Sequence, residues 1–159
     1  EQRWGRIINI VSRAGLWGSP NSADYASSKG AIFGFTNAIS RDLAPFGITV
    51  NAINPAAALT RMVTTSAERA RRLGANTEQA QRMLAVAQQP EDFAPLAVFL
   101  CTEEAASING QVFLMHGGQV GWFSPLTVAK SLFKNGRWTI EELAEAMPRL
   151  ELPPPPQLY

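Results

Sequence analysis

A tyrosine and a lysine lie four positions apart in the stretch ADYASSKGA, residues 23–31, where the other side chains are small apart from Asp24. On a helix, positions i and i+4 stack on one face, so Tyr25 can present its hydroxyl with the Lys29 ammonium beside it. A free phenol gives up its proton near pH 10, so working with a phenolate near neutrality costs about 4 kcal/mol, which a nearby cation and a dry surrounding can supply. An ammonium also has three donors, enough to leave some for the hydroxyls of a cofactor sugar. Ser12, thirteen residues before Tyr25, ends an apolar run and can hydrogen-bond the same substrate oxygen. By itself, Tyr followed four later by Lys is a weak signal and reads as a half-buried pair of helix neighbours. The small residues Ala26, Ser27, Ser28 and Gly30, which permit close approach, and the elements around them favour chemistry.

Those elements follow from pattern. RIINIVS, residues 6–12, is a short run rich in Ile and Val, bounded by Gly5 and by the Gly15–Pro20 cluster, and predicts a buried strand with Ser12 at its carboxyl end. Residues 23–44 contain no proline and carry Tyr25, Lys29, Ile32, Thr36, Ile39 and Leu43 at helical spacing, until Pro45 and Gly47 stop the helix. ITVNAI, residues 48–53, predicts a second strand, with NPAAALT as the loop that leaves it. Strand, helix, strand implies parallel pairing, and the place for a ligand in such a sheet is outside the carboxyl ends of the strands. Residues 61–89 predict one or two polar surface helices; their arginines, Arg61, Arg69, Arg71, Arg72 and Arg82, stand against Glu68 and Glu78 and read as a solvated face. Pro90 opens a further predicted helix, PEDFAPLAVFLCTEEA, and QVFLMH predicts a third strand closed by Gly117 and Gly118. Thr139 and Glu142 offer a capping box, and the prolines at 153–156 predict a polyproline II or disordered tail.

The whole is 159 residues, the size of one core, with 46% hydrophobic and 17% charged residues and a formal charge of +1. That balance disfavours nucleic acid and anionic membrane surfaces and favours small-molecule or protein partners. Cys101, the single cysteine, sits in AVFLCT and is expected to be a buried neutral thiol. With no disulfide possible, a reducing compartment, the cytoplasm among them, is compatible. No membrane span, signal peptide, internal repeat or metal-ligand spacing is legible.

From about residue 4 to residue 120 the chain resembles the second half of a short-chain dehydrogenase/reductase. IINIVSRAG resembles that family's strand ending in the catalytic serine, YASSK its tyrosine and lysine motif, GITVNAINP its next strand, and PEDFAPLAVFLCTEEAASINGQVF its last helix and strand. The resemblance implies an α/β fold, a partial Rossmann-like doubly wound parallel sheet over residues 1–120, followed by a carboxyl-terminal extension over 121–159. It implies Tyr25 as general acid/base, Lys29 as the group that eases its ionisation and binds the nicotinamide ribose, and Ser12 as the group that orients the substrate oxygen. Pro55, Ala58 and Thr60 map onto positions that contact the cofactor, NAD or NADP, although Ala56 replaces the usual glycine. His116 stands where the family often has aspartate, and no role is assigned to it.

The family's glycine-rich phosphate turn, its cofactor-selecting residue, its asparagine-rich strand end and its catalytic asparagine all belong upstream of residue 1. The chain therefore reads as one entered midway, and no dehydrogenase activity is expected of it alone. The implied reaction interconverts a secondary alcohol and a ketone. NGRWTIEEL more weakly resembles an extension in relatives that act on 3-hydroxyacyl-CoA or hydroxysteroids. The alternative is a truncated, non-catalytic module whose long helix and last helix mediate homo-oligomerisation, as a dimer or tetramer.

Overall fold

The computed structural model describes residues 2–72, 81 and 84–154. The expectations for Glu78, Arg82 and the last prolines of the tail lie outside the described residues. The chain divides into two compact units, Glu1–Phe123 and Ser124–Tyr159.

The first unit is built on a four-stranded sheet in the order β1-β2-β3-β4. β1 (Gly5–Ile10) pairs in parallel with β2 (Ile48–Pro55), β2 pairs in parallel with β3 (Val112–His116), and β3 pairs antiparallel with β4 (Gln119–Trp122). β2 is central and is buried over residues 49–54, its polar Thr49, Asn51 and Asn54 included; Asn51 donates to Ile108 O at 2.7 Å and accepts from Gln111 N at 2.9 Å. The register sets Ile8 beside Asn51 and Ile10 beside Ile53 on one face, and Ile7 beside Val50 and Asn9 beside Ala52 on the other.

The second of these faces packs against α2 (Ala23–Leu43), where Val11, Ala52 and Val112 meet Ile32, Phe33 and Phe123. The first packs against α4 (Ala94–Phe99) and the turn that follows it, where Ile53, Leu100 and Met115 join Leu96 and Ala105. Burying a side chain such as Ile53 or Leu100, at 1% and 0% exposure, contributes about 1.5–3 kcal/mol. α1 (Ala14–Trp17) is a single turn between β1 and α2, and α3 (Arg61–Arg72) follows β2.

Gly117 and Gly118 close β3 as expected, and because His116 pairs with Gln119 they also form a two-residue hairpin turn, Gly117 at φ 57°, into a further strand, β4. Two expectations shift. The helix expected from Pro90 is broken into a 3-10 turn, Pro90–Phe93, and the six-residue α4, because Pro95 has no N–H with which to continue the ladder. Cys101 is exposed rather than buried, since the chain leaves α4 through tight turns in which the N–H groups of Cys101 and Thr102 reach back three residues to Val98 and Phe99.

In the second unit, α5 (Ile140–Ala146) opens on the capping box expected there: the Thr139 hydroxyl accepts from Glu142 N at 3.2 Å, and the Glu142 carboxylate accepts from Thr139 N at 2.8 Å. Lys134 bonds Glu142 and lies 5.5 Å over the Trp138 ring.

Candidate active site

β1 and β2 run in parallel, so their carboxyl ends share one edge, and the candidate residues gather there. Beyond β1 the ladder continues for one bond, Val11 N to Ile53 O at 2.9 Å, and then Ser12 turns the chain. The Ser12 carbonyl accepts from Gly15 N at 2.9 Å, and its hydroxyl oxygen accepts from Ala14 N at 3.2 Å. The side chain of Asn54, at the end of β2, accepts from Arg13 N at 2.9 Å and fixes this turn to the neighbouring strand.

α2 presents the other two residues. Its position on the sheet is set by polar as well as apolar contacts: Asn9 of β1 donates to the Thr36 hydroxyl at 2.8 Å, and that hydroxyl donates to Ile32 O at 2.8 Å. Thr36 is wholly buried, so both ends of this link are satisfied inside the molecule. The Lys29 ammonium donates to the carbonyl of Ile10, the last residue of β1, at 3.0 Å. It also lies 5.8 Å from the centroid of the Tyr25 ring, within range of a cation–π attraction. Tyr25 itself is 47% exposed, open to a reactant.

Glycine makes this proximity possible. A Cβ on Gly15 would sit 2.5 Å from both the Gly30 nitrogen and the Lys29 carbonyl carbon, and one on Gly30 would lie 3.1 Å from the Gly15 oxygen. The turn carrying Ser12 therefore rests directly on the backbone of α2, one turn beyond Tyr25.

The second cluster leaves β2. Pro55 ends the strand beside Met115, and Ala56 N donates to Met115 O at 3.0 Å. Ala58 bridges to Gln88, Leu59 N donates to Gln88 O at 2.6 Å, and Thr60 stands exposed before α3. Gln88 extends its side chain to Gly117 N at 2.6 Å, tying this loop to the hairpin turn after β3. Ser12, Tyr25 and Lys29 thus occupy the end of β1, and Pro55, Ala58 and Thr60 the end of its neighbour. His116 is exposed at the end of β3.

A family model described as enoyl-(acyl carrier protein) reductase matches residues 1–119. The chain belongs to the short-chain dehydrogenase/reductase family. It is 38% identical over 128 residues to a D-beta-hydroxybutyrate dehydrogenase of Cupriavidus necator, covering 76% of this chain and 50% of that one. Among solved structures it is similar to a short-chain dehydrogenase from Mycobacterium avium, with a TM-score of 0.73, 29% identity, and coverage of 97% of this chain and 46% of that one. It is also similar to an actinorhodin polyketide ketoreductase solved with NADPH, with a TM-score of 0.62, 33% identity, and coverage of 73% of this chain and 47% of that one. The chain spans about half the length of the relatives it matches.

Three positioning residues had weak signals in the sequence of this family member. Gly15 stood in a loop already rich in glycine, and the contact that requires it is with Gly30, fifteen residues away. Asn54 read as an ordinary strand end before proline. Gln88 lay in a polar stretch without periodicity. Among the described residues no three potential metal ligands cluster, and no helix is long and apolar enough to cross a membrane.

Proposed function

We propose that the protein interconverts a secondary alcohol and a ketone with NAD or NADP, using Tyr25 as the general acid/base. The observation that carries this reading is the Lys29 ammonium, held by Ile10 O at 3.0 Å and 5.8 Å over the Tyr25 ring at the carboxyl edge of parallel strands. A cation so placed favours the phenolate that remains when Tyr25 gives its proton to a carbonyl oxygen, and in the reverse direction it favours the base that takes a proton from an alcohol. The Ser12 oxygen already accepts from Ala14 N, so its own O–H proton is left to donate to the substrate oxygen and hold it.

The donor set fits a nicotinamide cofactor. Lys29 spends one N–H on Ile10 and keeps two for sugar hydroxyls, while Pro55, Ala58 and the exposed Thr60 border the same edge. A bound nicotinamide would supply or accept the hydride. For substrate we place 3-hydroxyacyl thioesters first, on the acyl-carrier description of the matching model and the hydroxybutyrate relative, with hydroxysteroids as the alternative.

A second reading has its own observation. Phe35 on α2 and Val120 and Trp122 on β4 are 55%, 56% and 58% exposed, as residues of a homo-oligomeric contact would be. The two readings separate on turnover. The protein is expressed from its full reading frame, and absorbance of the reduced nicotinamide is followed with 3-oxoacyl thioesters and a panel of secondary alcohols. Turnover supports the oxidoreductase; a defined oligomer that turns over nothing with either cofactor supports a non-catalytic interaction module.

A further inference from the structure

The loop that leaves β2 carries Pro55, Ala58 and Thr60, and a residue far along the chain holds it in place. Pro55 and Ala56 still belong to the sheet, through Met115. Past Ala56, among the described residues, the hydrogen bonds that tie the loop to anything but itself and α3 all end on Gln88. Gln88 N donates to Ala57 O at 2.9 Å and Leu59 N donates to Gln88 O at 2.6 Å, one on each side of Ala58. These backbone bonds join Gln88 to the loop. The Gln88 side chain joins both to the sheet, because its Oε1 accepts from Gly117 N at 2.6 Å in the turn between β3 and β4.

Two further observations mark this as a built contact. Gly117 stands at φ 57°, and a Cβ there would lie 2.9 Å from Gln88 Nε2, so the carboxamide rests on backbone that a larger residue would cover. Gln88 also directly precedes the 3-10 turn Pro90–Phe93, which is closed by a capping box between Gln89 and Asp92 and whose Phe93 packs on the core. Gln88 is thus held from behind and reaches forward to the loop and the hairpin together. Without the Gly117 bond, Gln88 and the loop are free to shift together against the strand ends, taking Ala58 and Thr60 with them.

We propose that Gln88 is a positioning residue for the cofactor: latched on Gly117, it fixes Ala58 and Thr60 at the carboxyl edge of the sheet. This rests on the oxidoreductase reading, which gives Ala58 and Thr60 to the cofactor. A loop latched only part of the time binds in proportion to its latched share, and a net hydrogen bond changes that balance by up to about tenfold.

The test uses the protein expressed from its full reading frame. NAD and NADP are titrated by calorimetry against the parent, Gln88→Met, Gln88→Glu, Gly117→Ala and the double variant Gln88→Met/Gly117→Ala, with amide exchange followed at Gly117 and Leu59. Gln88→Met keeps the length and loses the acceptor, so it is expected to speed exchange at Gly117 and to weaken the bound cofactor about threefold or more. In turnover the loss should fall on the cofactor KM, with kcat much less changed. Gln88→Glu keeps an acceptor for Gly117 N and is expected to bind as the parent does. Gly117→Ala pushes the carboxamide aside, so its loss and that of Gln88→Met should not multiply in the double variant. A parent that binds neither cofactor overturns the oxidoreductase reading and this proposal with it. Where the parent binds, equal binding by Gln88→Met overturns the latch alone, and so do losses that multiply. If Gln88→Met lowers the Tm, Gln88→Glu decides: affinity restored upholds the latch, and affinity as weak as that of Gln88→Met overturns it.

Discussion

Gly15→Ala inserts a methyl group where the Ser12 turn meets α2. The new carbon would lie 2.5 Å from the Gly30 nitrogen and the Lys29 carbonyl carbon, both backbone atoms that no side-chain rotation can move aside. Ordinary contact is about 3.5–4.0 Å, so the two segments must separate by about 1 Å. Overpacking of this kind costs about 1–3 kcal/mol. At about 2–4 °C per kcal/mol for a chain of this size, Tm should fall by about 2–12 °C. Activity should suffer more, because a displacement of about 1 Å between Ser12 and the Tyr25–Lys29 pair is enough to cost about a hundredfold in rate. The same substitution at Gly34, also on α2, meets nothing within 4 Å and should stabilise the helix by about 0.5–1 kcal/mol. The assay pairs thermal unfolding with kcat/KM for the two variants. A Gly15→Ala protein with unchanged Tm and unchanged kcat/KM refutes the close packing that brings the site together.

The remaining predictions test how the frame is held. Asn109 accepts from Val50 N and donates to Ser40 O, both at 2.8 Å, so Asn109→Ala should destabilise by about 2–4 kcal/mol in urea unfolding, with the buried Val50 amide left unpaired. Thr36→Val strips Asn9 of its partner and should cost about 1–3 kcal/mol, again read by urea unfolding. In the second unit, Thr139→Ala removes the α5 cap and should cost about 1 kcal/mol, visible as faster amide exchange at Glu142. The Lys134 ammonium, and then the Thr139 N–H, hold the Glu142 carboxyl below the usual carboxylate range. A depressed carboxyl stabilises the folded state above its unfolded value, so the α5 cap should be intact at neutral pH and lost as pH falls below the ordinary carboxylate range through that lowered value, followed by the same amide.

The sheet edge that carries the site was legible because its signals are local. RIINIVS and ITVNAI announce buried strands, and the uninterrupted helical spacing from Tyr25 to Leu43 places Tyr25 and Lys29 on one helix that Pro45 and Gly47 end. What was not legible depends on partners distant in sequence. Gly15 matters because of Gly30, Asn54 because of Arg13, and Gln88 because of Gly117, and none of these pairs has a periodicity to betray it. β4 is different: paired glycines mark the end of a strand and a two-residue hairpin turn alike, and the short QVGW that follows has too little alternation to announce a strand of its own. Cys101 shows the limit of composition, since an apolar run such as AVFLCT buries Leu100 completely while the tight turn after it leaves the next side chain exposed.

The proposed chemistry rests on Tyr25 as the proton carrier. The most direct measurement is kcat/KM for ketone reduction by the protein expressed from its full reading frame, compared with Tyr25→Phe, which keeps the ring and deletes the hydroxyl. General acid catalysis by a placed side chain contributes about 10²–10⁴ in rate, so the variant should lose that factor while its Tm stays close to the parent's, the ring being largely exposed. Tyr25→Phe turning over at the parent's rate would contradict the assignment.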